Sequence, residues 1–216
     1  ATPVGKGITP ALAEEIFDMG ADVITLGNHT FGNRQICDYL DDQPNILRPL
    51  NYPPQQPGHG YAVVECRGKQ VCVCNLQGRV GMDYIPSDPF AAADWLLKNV
   101  KADLYLADFH AEATSEKQAM GYHLNGRAAA VWGTHTHVPT ADERVLSGGT
   151  GYITDIGMTG GVESVIGVRW EQSLAMFRGQ LGERFKPSDR DCRVQGVVFE
   201  LNDQGKCTAV RRVEIS

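Results

Sequence analysis

No apolar run in the sequence approaches the ~20 residues that a membrane-spanning helix needs, and no leader with the pattern of a signal peptide is visible. Clusters of Lys and Arg are also missing. The 20 basic residues against 26 acidic ones leave a formal charge of −6, with a pI near 5.5. A grip on long nucleic acid takes a basic stripe, so that class of partner is not expected. Arg211-Arg212 stands alone and reads as a solvated strand edge. Nor is there a C-x-x-C pair among Cys37, Cys66, Cys72, Cys74, Cys192 and Cys207. Cys72 and Cys74 alternate in an apolar run and share one strand face, which argues for buried reduced thiols and a cytoplasmic chain. Disorder is not indicated, because the hydrophobic share is 42% and the charged share 21%. At this length a single domain spanning residues 1–216 can bury a core.

The apolar periodicity alternates between helix and strand. Thr9-Pro10 starts a capped helix over 11–17, with Gly20 as its stop. A β-branched strand over 22–26 follows, then a helix over 33–40. Pro44, Pro49, Pro53, Pro54 and Pro57 mark a loop over 45–57. Strands 61–66 and 70–76 form a hairpin around Arg67-Gly68-Lys69. A helix over 90–100 starts from Asp88-Pro89. Strands follow at 103–108, 128–133 and 151–155, with helices at 114–120 and 171–179. A hairpin of 194–201 and 208–215 closes on Asn202-Asp203-Gln204-Gly205. This alternation predicts an α/β fold around a largely central sheet. The chain opens on Ala1-Thr2-Pro3 and a Gly-rich turn, Val4-Gly5-Lys6-Gly7.

Three of the strands run into histidine-bearing segments: Gly27-Asn28-His29, Asp108-Phe109-His110 and Gly133-Thr134-His135-Thr136-His137. Ligand sites in open α/β sheets lie at the C-terminal strand ends, so Asn28, His29, His110, His135 and His137 are expected to converge. On an extended segment, residues 135 and 137 would point the same way, and Gly133 would let the backbone come close to the site. Imidazole suits Zn, Fe, Mn or Ni, and an Asn carbonyl adds a hard oxygen ligand. Bound metal ions would also supply the positive charge that an acidic protein lacks for work on phosphates.

In this order, the motifs resemble those of calcineurin-like metallophosphoesterases, and most closely the bacterial YmdB-like branch, described as 2′,3′-cyclic-nucleotide 2′-phosphodiesterases. The stretches that carry the resemblance are 20–30, 75–79, 108–117, 133–140 and 152–160. The resemblance implies a sandwich of β-sheets flanked by helices. It implies a metal-dependent hydrolase of phosphate esters, with cyclic nucleotides as substrates. Two divalent transition-metal ions (Fe, Mn or Zn) would be held, Asn28, His110 and His135 binding one and His137 the other. His29 would protonate the leaving oxygen, and a hydroxide bridging the metals would be the nucleophile. The family also carries two earlier strands ending in GD-type and GEN-type motifs with the acidic ligands. These motifs do not occur in the 216 residues, so the chain is expected to lack the N-terminal strands and to hold one metal or none. An inactive metal-binding or regulatory chain is the alternative, and a mononuclear zinc hydrolase using His110, His135 and His137 is a third reading.

Other residues have two readings each. Asp108 and Asp155 either orient a histidine or end a strand. Glu112 and Glu116 are candidate carboxylates, Glu116 also fitting the first turn of a helix. Arg79 contacts a phosphate or is a surface arginine. Trp132 and Trp170 read as packing residues. Gly157 to Gly161 is no Walker motif, and no nucleophile elbow surrounds Ser115 or Ser147. The expected partner is a small phosphoester, and self-association stays open.

Overall fold

The computed structural model describes residues 7–181 and 183–216. The expected turn at Val4 to Lys6 lies outside the described residues. Helix α1, Pro10–Asp18, starts where the Thr9 hydroxyl accepts from Leu12 N, and it ends beside Gly20 at φ +100. Strand β1, Ile24–Thr25, pairs in parallel with β2, Ile46–Leu47, and helix α2, Ile36–Asp42, lies between them in sequence. The helix expected from 33 begins only at Ile36, because the Asn33 side chain accepts from Gln35 N and forms a turn instead. Ile8, Ala13, Ile24, Ile36, Leu40 and Ile46 form the core of this part.

The main sheet has six strands in the order β3-β4-β5-β6-β8-β7. Strands β3, Tyr61–Cys66, and β4, Lys69–Gln77, close on Arg67 and Gly68, both with positive φ as a tight hairpin requires. Strands β5, Leu104–His110, and β6, Ala130–Thr134, continue the sheet in parallel with β4. So does β8, Gly151–Ile153, whereas the short β7, Arg144–Val145, is antiparallel at the edge. Helix α3, Pro89–Asn99, is capped by the Asp88 carboxylate, and α4 spans Thr114–His123. Both cover a core of Cys72, Cys74, Leu76, Phe109, Met120 and Val131, among others.

A second, antiparallel sheet has the order β11-β10-β9, with β9 at Thr159–Gly161, β10 at Cys192–Leu201 and β11 at Cys207–Ile215. It packs on β7 and β8. Phe199 stacks obliquely on Trp132 with ring centroids 6.1 Å apart. The contact is close enough that a Cβ on Gly151 would meet Cys207 Sγ at 2.7 Å. Helix α5, Trp170–Phe177, follows β9, and Trp170 at its head is 41% exposed rather than packed. The layered α/β sandwich thus matches the expected architecture. The register sets Gln77, His110 and Thr134 level across β4, β5 and β6 at their C-terminal ends.

Candidate metal centre

Asn28 lies just past β1, His110 is the last residue of β5, and His135 follows β6 directly. The six-stranded sheet places His110 beside His135, and Asn28 arrives from the separate β1–β2 pair, which Asn75 Nδ2 ties to β4 by donating to Leu26 O at 3.0 Å. His110 Nε2 lies 3.0 Å from Asn28 Oδ1 and 3.2 Å from His135 Nδ1. The two imidazoles meet edge to face, with centroids 4.8 Å apart. Gly27 makes the space: a Cβ there would meet His110 Cδ2 at 2.5 Å.

The hydrogen bonds behind each ring fix which nitrogen carries the proton. Thr134 Oγ1 donates to Asp108 Oδ1 at 2.8 Å, so it accepts from His110 Nδ1 at 3.0 Å. His110 Nε2 is then the lone-pair nitrogen. His135 Nε2 faces Glu112 Oε2 at 3.1 Å and donates to it, which turns a bare Nδ1 toward His110. Asn28 Oδ1 also faces His110 Nε2 and brings no proton. With that proton assignment three acceptors meet at one point, an arrangement that suits a cation.

Charge and burial keep the rings in that state. Burial, reinforced by His135, Lys117, His29 and His137, pushes the His110 pKa down to about 3. Burial also lowers the pKa of His135, against the opposing pull of Glu112. Burial raises Asp108 to about 6, although hydrogen bonds from Thr25, Thr134 and Asn75 favour its anion. Both neutral imidazoles are ready ligands at neutral pH.

The same shifts give stability a definite dependence on pH. A histidine with a depressed folded pKa contributes stability that is present above its unfolded value of about 6.5 and lost as pH falls. Asp108 has the opposite sign. Between about pH 4 and 6 the folded chain keeps a proton that the unfolded chain releases, so stability falls as pH rises. Two histidines oppose one carboxyl, and His110 is displaced furthest. Urea midpoints of the metal-free chain should therefore rank pH 7 above pH 5 above pH 4. A midpoint that rises on going from pH 7 to pH 4 would contradict the neutral rings.

His29 and His137 sit at the margin. His29 is exposed on the turn after β1. His137 Nδ1 faces Ile166 O at 2.9 Å, which leaves Nε2 as the nitrogen for any ligand. Residues 135 and 137 do not share the extended geometry expected of them. Their backbone is not extended: φ is +95 at His135 and +66 at His137. Gly133 does not serve approach to the site either, because its missing Cβ makes room for the Thr154 carbonyl and for Lys117 Cδ.

As a ligand set the trio fits one divalent cation through two nitrogens and an amide oxygen. Among the described residues no three His, Cys, Asp or Glu side chains converge as a metal-binding group.

One neighbour, Lys117, was given no role by the sequence reading. Lys117 is 1% exposed and bonds Asp155 Oδ2 and Thr136 Oγ1, both at 2.9 Å. Glu116 accepts from the backbone of Arg79 and Val80, which fixes the loop after β4 over α4. Of the paired readings above, Asp108 does orient a histidine, through Thr134.

The mixed sheet with its flanking helices has the fold of the metallophosphoesterases, hydrolases of phosphoric ester bonds. Two solved structures share this fold. One from Thermus thermophilus, described as a hypothetical protein, superposes with a TM-score of 0.90 at 39% identity, covering 97% of this chain and 82% of that one. One from Mycoplasma pneumoniae, described as a novel phosphatase, gives a TM-score of 0.89 at 34% identity, covering 97% and 77%. The 2′,3′-cyclic-nucleotide 2′-phosphodiesterase of Bacillus subtilis (strain 168) is 45% identical over 204 residues, which are 94% of this chain and 77% of that protein. The family described as YmdB-like protein matches residues 1–213, and the chain belongs to it. Among the described residues no helix is long and apolar enough to cross a membrane.

Proposed function

We propose that the chain is one metallophosphoesterase domain that hydrolyses small phosphoric esters, cyclic nucleotides among them, with a divalent cation held by Asn28 Oδ1, His110 Nε2 and His135 Nδ1. The observation that carries this reading is the meeting of Asn28 Oδ1, His110 Nε2 and His135 Nδ1, at 3.0 and 3.2 Å from the central His110 nitrogen. The name of the Bacillus relative supports the substrate class. When bound, such a cation (Mn, Fe or Zn) supplies Lewis-acid stabilisation of charge on the phosphoryl oxygens. His135 is oriented by Glu112, and His110 by Thr134 and Asp108. His29, exposed beside them, delivers a proton to the leaving oxygen. His137, through Nε2, serves a second cation. All six cysteines are free thiols, the state that a cytoplasmic location preserves.

That no three His, Cys, Asp or Glu side chains converge among the described residues favours a second reading, cation binding without turnover. The two separate in one experiment. The metal-free chain is titrated with Mn2+ by calorimetry, then assayed on bis(p-nitrophenyl) phosphate and on 2′,3′-cyclic AMP. Expected are saturable Mn2+ binding and hydrolysis that EDTA stops and Mn2+ restores. Binding with no hydrolysis of either ester selects the second reading. No binding of Mn2+ or Zn2+ overturns both.

A further inference from the structure

We propose that the buried Lys117–Asp155 pair is the positioning device that holds His135 and His137 at the cation site, acting through Thr136. The inference rests on the cation site proposed above, but its geometry stands independently. Both histidines occupy left-handed backbone conformations, φ +95 and +66, which an L residue leaves unless its surroundings hold it. What holds them is the residue between. Asp155 Oδ2 accepts from Thr136 N at 3.2 Å, from Thr136 Oγ1 at 2.6 Å and from Lys117 Nζ at 2.9 Å. Lys117 Nζ also donates to Thr136 Oγ1 at 2.9 Å.

The clamp is anchored on both sides. Asp155 Oδ1 accepts from Gly157 N at 2.8 Å, and Asp155 N donates to Thr140 Oγ1 at 2.9 Å, so the 136–140 segment is strapped to 155–157. The side chains of Lys117 and Asp155 are 1% and 0% exposed. Room for Lys117 exists because Gly133 has no side chain; a Cβ there would meet Lys117 Cδ at 2.8 Å. A buried pair of this kind is a weak source of stability, since a hydrophobic pair of similar volume often replaces it without loss. Fixing a loop that carries two imidazoles in an otherwise unfavoured conformation is a use that such a replacement would destroy.

The test compares the full chain with Thr136→Val, Thr136→Ser and the double variant Lys117→Met/Asp155→Leu. Mn2+ affinity is read by calorimetry, and the imidazole signals of His135 and His137 by long-range 1H–15N spectra of the metal-free protein. Expected is a loss of Mn2+ affinity of at least about 10-fold for Thr136→Val and for the double variant, the range found for outer-shell partners. The His135 and His137 signals should move in both, while Thr136→Ser stays near the parent in both readouts. The double variant should keep the parent's circular dichroism, with a lower melting temperature because Thr136 N and Gly157 N lose their acceptor. A Thr136→Val protein with the parent's Mn2+ affinity and unmoved His135 and His137 signals overturns the proposal, whether or not the double variant folds. If the parent binds no Mn2+, the cation reading fails by itself, and the spectra still decide whether the clamp positions the loop.

Discussion

Alanine in place of His135 should lower Mn2+ affinity by more than about 100-fold, beyond the upper range for partners that only orient a ligand, and hydrolysis of a phosphodiester should fall at least as far. The reason is the geometry of the trio. His135 Nδ1 is one of three proton-free atoms at the site, and no other described His, Cys, Asp or Glu completes a set there. Its removal leaves an amide oxygen and one imidazole. The fold should tolerate the change, since the His135 side chain keeps 22% of its surface exposed and its ion-pair partner Glu112 keeps 53%. His123→Ala is the matched control. That ring pairs with Asp94 at 3.0 Å on the exposed face of α4 and α3, and its loss should leave both readouts unchanged. Equal Mn2+ affinity in His135→Ala and the parent would refute the trio as a cation site.

The site was legible in the sequence for a topological reason. Parallel strands carry their loops to one edge, so His110 and His135 had to approach once β5 and β6 were recognised, whereas Asn28 comes from the separate β1–β2 pair. The route was only half right. The placement of residues 135 and 137 assumed an extended segment, yet β6 ends at Thr134 and Asp155 draws Thr136 into a different path. Lys117 was out of reach for another reason. A lysine in the first turn of a helix ordinarily reaches for solvent, and nothing local says otherwise. Its burial depends on a cavity left by Gly133, 16 residues away, and on a carboxylate 38 residues away. Strand β2 was hidden by its brevity and by the prolines after it. Ile46–Leu47 is a strand only because β1 lies alongside. The edge strands β7 and β9 are likewise products of their neighbours, Tyr152 and Gly151 for the one and Cys192 to Val194 for the other. The hairpins and the helix starts at Thr9 and Asp88 were readable because their signals are local.

Gly133→Ala should destabilise the chain by about 3 kcal/mol, the top of the usual range for overpacking. The backbone at Gly133 is not left-handed, so conformational strain plays no part and the cost is steric. The added Cβ would fall on the carbonyl oxygen of Thr154 and press Lys117 Cδ at 2.8 Å. A side chain could rotate away from such a contact, but a backbone carbonyl cannot. Gly133 O also accepts from Ile156 N at 3.1 Å, which ties the two segments together just past the last β6–β8 pair, Trp132 and Ile153. Strands β6 and β8 would have to part at their C-terminal ends. At about 2–4 °C per kcal/mol for a chain of this size, the melting temperature should drop by about 6–12 °C. Gly196→Ala is the control, because its Cβ would meet only Val213 Cγ2, at an ordinary 3.5 Å. That change should stay within about 0.5 kcal/mol of the parent. A melting temperature for Gly133→Ala within about 2 °C of the parent, under the shift expected for 1 kcal/mol, would mean that β6 and β8 have room at this point, and that Lys117 does not need the glycine to reach Asp155. If the drop is found, the same methyl group should also weaken Mn2+ binding in whatever fraction stays folded, because it pushes on the lysine that braces the loop between His135 and His137.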